Sequence, residues 1–128
     1  MIRAFVFFAA ALVAAVSLAM AHGPAGEKAH HGGQVVVAGH DHLELVAKDG
    51  ELTLYVRGED DQPESVKGAV ASATVLAGGK RETIKLEPQE PNILTGKGAF
   101  VVVKGMRVVV SLTLPEHKPV TARFTPAD

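Results

Sequence analysis

His42-Leu43-Glu44-Leu45-Val46-Ala47-Lys48-Asp49-Gly50-Glu51-Leu52-Thr53-Leu54-Tyr55-Val56-Arg57 is the stretch that decides the fold. Apolar and polar residues alternate on both sides of the Asp49-Gly50 pair. Leu43 and Leu45 share one face, with His42 and Glu44 on the other. Beyond the pair, Leu52, Leu54 and Val56 point inward, and Thr53, Tyr55 and Arg57 point out. A period of two belongs to an extended strand, and Asp-Gly between two such runs is a strong hairpin signal.

The same grammar extends in both directions. Upstream, Gln34 to Ala38 is a valine run, separated from His42 by a turn or bulge over Gly39 to Asp41. Downstream, Gly58 to Glu64 is an acidic loop containing Pro63. The alanines of Val66 to Ala77 would suit a helix. Gly68 interrupts them, however, and Val70, Ser72, Thr74 and Leu76 alternate with small residues, which favours a strand. Gly78-Gly79 then turns into a strand from Lys80 to Leu86, with Glu82, Ile84 and Leu86 on one face. A proline-bounded loop spans Glu87 to Pro91, and a short segment around Ile93 and Leu94 precedes Gly96 to Gly98. Ala99 to Val103 and Arg107 to Leu114, rich in β-branched residues, read as the strongest strands, with Lys104-Gly105 turning between them. Val120, Ala122 and Phe124 mark a last strand after the turn Pro115 to Lys118. Seven or eight short strands at even spacing predict an all-β, antiparallel two-sheet sandwich of immunoglobulin-like architecture over residues 34–125. With no tryptophan and no cysteine, it is not a true immunoglobulin domain.

The first residues read differently. Met1, Ile2 and Arg3 give a short positive start, Ala4 to Leu18 is apolar apart from Ser17, and Ala19-Met20-Ala21 is a small-x-small cleavage site. This is the pattern of an export signal peptide over residues 1–21. An uncleaved anchor is the alternative, since Ile2 to Ala21 approaches the ~20 residues that span a bilayer. Polar sequence following at once favours cleavage, hence a periplasmic or secreted protein. Residues 22–33 are rich in Gly, Ala and His without a hydrophobic period and read as a flexible arm.

The full chain has 13 Lys+Arg against 14 Asp+Glu, a formal net charge of −1. Loss of Arg3 with the leader makes it one unit more negative. That balance predicts no nucleic-acid partner, and no membrane partner once the leader is cut. The absence of cysteine removes thiolate metal sites and thiol enzymes. Met106 is the only methionine outside the initiator and leader, which argues against a soft methionine site for Cu(I).

Five of the six histidines lie between His22 and His42. Imidazole is the commonest protein ligand for borderline metals. His40 and His42, at i and i+2, share a face if the segment is extended, and Glu44 continues it. Two imidazoles and a carboxylate supply most of a site for zinc, nickel or Cu(II), although a solvent-facing polar strand face has the same pattern. His30-His31-Gly32-Gly33 is a second pair, in a turn able to fold both rings toward one ion. Cleavage after Ala21 makes His22 the new N-terminus, where its α-amine, with an unperturbed pKa of roughly 7.7–8.0, joins Nδ1 in a Cu(II) chelate. His117, in the final turn, reads as an exposed turn residue. The predicted metal set is His22, His30, His31, His40, His42 and Glu44, with the strand residues as its fixed part.

The run His30-His31-Gly32-Gly33-Gln34-Val35-Val36, the Leu43-Glu44-Leu45-Val46 strand and the Leu54-Tyr55-Val56 strand together resemble the N-terminal β-rich domain of periplasmic heavy-metal efflux adaptor proteins. Leu94-Thr95-Gly96 and the closing strands fit as well, so the resemblance covers about residues 30–125. It implies a metal-linked role with an efflux system as partner. The helical-hairpin, lipoyl-like and barrel portions of those adaptors are absent from this sequence, which shifts the expectation to a stand-alone accessory protein. Small exported copper-resistance sandwiches are a second, looser likeness. No nucleophile–base pair, phosphate loop or paired catalytic carboxylates stand out, so no enzyme is expected. The contrasting class is a metal-free structural or interaction module of the cell envelope.

Overall fold

The computed structural model describes residues 28–128, so the expected leader, His22 and half of the expected arm lie outside the described residues. Eight strands and no helix are present among them: β1 Gln34–Ala38, β2 Asp41–Lys48, β3 Glu51–Arg57, β4 Val70–Ala77, β5 Lys80–Gln89, β6 Ile93–Lys97, β7 Arg107–Thr113 and β8 Val120–Phe124. The deciding stretch is a hairpin in the expected register, with Leu45 opposite Leu54 and Lys48 opposite Glu51. Leu43, Leu45, Leu52, Leu54 and Val56 are all buried.

All pairings are antiparallel, and the strands follow the order β1-β2-β3-β6-β5-β4-β7-β8 in one sheet. The sheet curls until β1 meets β8, which nearly closes a barrel. Across that seam the Gln34 side-chain oxygen accepts from the Thr125 N–H at 2.7 Å. The expected division into two sheets does not appear as a break in the strand order, and β5 is the reason. Its first part, Lys80 to Leu86, pairs with β4, while Glu87 to Gln89 pair with β6. A long strand that passes from one half of a sheet to the other turns a corner and leaves no free edge there.

Three local expectations are corrected, and the first is the loop from Glu87 to Pro91, whose residues Glu87 to Gln89 belong to β5 because they pair with β6. The short segment at Ile93 becomes β6, which lies between β3 and β5. Ala99 to Val103, read as one of the strongest strands, is irregular. Its backbone groups are bonded outside any ladder. The Glu82 carboxylate accepts from Ala99 N–H at 3.0 Å, Asp49 Oδ1 accepts from Val102 N–H at 2.8 Å, and Gly50 N–H donates to Phe100 O at 2.8 Å. Phe100 is buried as an anchor and Val101 is 56% exposed. β-branched residues satisfy strand geometry but do not create a partner, and β6 already holds the place beside β3 and β5.

The ends of the barrel differ in charge. One carries the Gly39-His40 turn, the acidic connection from β3 to β4 and the turn from β7 to β8, as the pairs Ala38–Asp41, His42–Arg57 and Val70–Thr113 require. The other carries the Asp49-Gly50, Gly78-Gly79 and Lys104-Gly105 turns, with Lys80, Arg81, Lys104 and Arg107 gathered around the last two.

Candidate metal centre

The acidic connection is a built loop. Gly58 N–H donates to Gln62 O at 2.9 Å and Asp61 N–H to Gly58 O at 3.0 Å, and Arg57 Nη1 donates to Asp61 O at 2.9 Å. Asp61 takes φ +61°, the left-handed region that Asp tolerates better than most residues. Glu64 N–H donates back to Val56 O at 3.1 Å, which fixes the far end of the loop on β3.

Four of the five described histidines meet carboxylates of this loop. His30 Nε2 lies 3.1 Å from Asp61 Oδ2, His42 Nδ1 lies 3.7 Å from Asp61 Oδ1, His40 Nδ1 lies 3.5 Å from Glu59 Oε2, and His117 Nε2 lies 3.8 Å from Glu64 Oε1. The hydrogen bond from His30 is the main cause that holds the Asp61 carboxyl below its ordinary pKa, with the His30 and Arg57 charges adding to it. His40 sits in the turn, its side chain 89% exposed, whereas the His42 side chain is largely covered.

The predicted ligands are therefore distributed, not gathered on one point. His30 and His42 share Asp61. His40 turns toward Glu59. His31 stacks on Tyr55, with ring centroids 3.6 Å apart and planes 11° from parallel. Glu44 has a different task. It lies on the outward face of β2 yet is 2% exposed, because residues 30–33 fold over it. Its carboxylate accepts from the N–H groups of His30 at 2.9 Å, His31 at 2.8 Å and Gly33 at 2.8 Å. Consecutive backbone donors around one anion form a nest. Burial raises the Glu44 pKa, but the donors of Gly33, His30 and His31 outweigh it and the net shift is downward. The two glycines make this possible: Gly32 takes φ +75°, and a Cβ on Gly33 would strike the Leu45 carbonyl oxygen. His22 lies outside the described residues.

Among the described residues, one trio of metal-ligating atoms falls within 4.8 Å of one another: Asp41, Glu64 and His117. Asp41 opens β2 and is 5% exposed. Its hydrogen bond to Glu64, then burial, then its charge push the Glu64 pKa up to about 7, against an opposing pull from His117. His40, Glu59 and Asp60 border the same open cavity of about 380 Å³. Sequence spacing does not reveal this trio, whose members lie on three separate segments. The acidic run from Glu59 to Glu64 is the one local signal that could have marked the loop as a ligand platform.

No protein-family model matches the chain, and neither a curated protein nor a solved structure matches it at a significant level.

Proposed function

We propose that the protein is an exported, periplasmic metal-binding accessory domain that buffers or delivers a divalent transition-metal ion such as zinc, Cu(II) or nickel. A heavy-metal efflux system is its proposed partner, on the strength of the sequence resemblance to adaptor domains. The observation that carries the metal reading is the convergence of His30, His40, His42 and His117 on the carboxylates of one short loop. Imidazole beside carboxylate is the donor mixture that borderline divalent ions take. The same loop carries Glu59, Asp60, Asp61 and Glu64 without an interspersed cation, and a negative rim raises the local cation concentration. The domain we infer is a curled all-β scaffold without catalytic role. An immunoglobulin-like two-sheet division would correspond to its β1-β2-β3-β6 and β5-β4-β7-β8 halves.

A metal-free interaction module is the competing reading. The exposed apolar side chains of Val101, Val103 and Leu76 at the other end would serve it. Calorimetric titration with zinc, Cu(II) and nickel at neutral pH decides between the two. The expected outcome is stoichiometric binding tighter than that of free histidine, weakening in acid because protons compete with the metal for its ligands. No such binding by any of the three ions would remove the metal reading.

A further inference from the structure

We propose that Asp41, Glu64 and His117 form the fixed centre of this metal site, a two-oxygen, one-nitrogen donor set for a divalent ion of zinc-like hardness. The inference rests on the metal-binding reading and deepens it. It moves the centre away from the His40–His42–Glu44 strand face that spacing suggests.

Geometry is the first support. Zinc bonds its N and O ligands at about 2.0–2.2 Å in a tetrahedron, so donors on one ion lie about 3.4 Å apart. The trio lies within 4.8 Å, and His117, whose side chain is 47% exposed and whose Nε2 is 3.8 Å from Glu64 Oε1, is free to draw in as the ion binds. Rigidity is the second. Asp41 is held by its register opposite Ala38 and is buried. Glu64 is bonded through its backbone to Val56, and His117 N–H donates to Leu114 O at 3.1 Å. Ligands set on ordered backbone avoid the ordering cost that ligands on an arm must meet. His40 is solvent-facing, and the Glu44 carboxylate is occupied by three backbone donors.

Charge is the third support. Two carboxylates this close repel one another. A divalent cation between them removes that repulsion, and His117 on the same cavity supplies the nitrogen. Three protein ligands leave a coordination position open to water or to a receiving partner's ligand. Such an open position suits a site that releases its ion.

The test is calorimetric titration of the purified protein with Zn²⁺ alone, run on the parent chain and on Glu64→Gln, His117→Ala and the double variant His30→Ala/His42→Ala. Gln at position 64 keeps the shape and the hydrogen bond to Asp41, so E64Q reports on the ligand and not on folding. Thermal unfolding without metal checks all variants. The expected result is at least a tenfold loss of zinc affinity in E64Q and in H117A, and a smaller loss in the double variant, whose histidines border the centre through Asp61. Parent-like zinc binding in both E64Q and H117A would overturn the assignment of the centre and leave the metal reading standing. Zinc binding by the parent no tighter than that of free histidine would overturn both.

Discussion

Glu44 shows how one residue's role follows from what covers it. On an antiparallel sheet with a solvated outer face, a glutamate at this position would point into water. Here it holds residues 30–33 against β2 through three charge-assisted hydrogen bonds. Replacing it with Gln removes the charge and leaves a single carbonyl acceptor, so E44Q should lose on the order of 2 kcal/mol, measured by urea unfolding. Its pH behaviour has a defined sign. Because the folded pKa lies below the ordinary 4.5, the stabilisation is complete above that value and disappears as pH falls through the lower, folded one. The amides of His30, His31 and Gly33 should lose hydrogen-exchange protection over that acid window in the parent. In E44Q their protection should be lower and no longer change over that window, and full parent-like protection in E44Q would refute the nest. Alternation in the sequence places Glu44 on the outer face correctly. It cannot show that His30-His31-Gly32-Gly33 returns over that face, because the nest uses backbone N–H groups, which carry no residue identity.

At the scale of elements, the β2–β3 hairpin is legible because period, turn residue and burial agree. β6 and the segment Ala99 to Val103 are exchanged in importance for the opposite reason. Ile93 to Lys97 is short, polar at its end and contains Gly96, yet it lies between two strands, where a Cβ on Gly96 would come within 2.7 Å of Ile84. Ala99 to Val103 has the composition of a core strand and no ladder. Composition reports how well a strand would pack, whereas pairing is a long-range property of the whole sheet. The two segments can be told apart by mutation. Val101→Ser should change stability by less than about 0.5 kcal/mol, as exposed sites do. Leu54→Ala, at a fully buried position of β3, should cost about 2–5 kcal/mol. Equal costs at the two sites, read from chemical unfolding, would contradict this placement of the strands.

For the whole molecule, curling one sheet into a near-barrel gathers at one end what the sequence scatters. The β1–β2 turn, the β3–β4 loop and the β7–β8 turn bring His40, Asp41, Glu64 and His117 to one cavity, and the arm adds His30 beside Asp61. The histidines other than His117 are visible in the sequence as candidate ligands, whereas His117 reads there as an exposed turn residue. The carboxylate partners are not visible, since Asp61 and Glu64 become neighbours of His30 and His117 only after the sheet closes. Opposite charge at the two ends gives an arriving cation one preferred approach. Mapping amide and imidazole NMR shifts of the purified protein during titration with Zn²⁺ tests this account most directly. At one equivalent the shifts should centre on residues 39–42, 58–65 and 115–118, with Gly78, Gly79 and Gly105 unmoved. Shifts centred on that opposite end, or none at all, would contradict it.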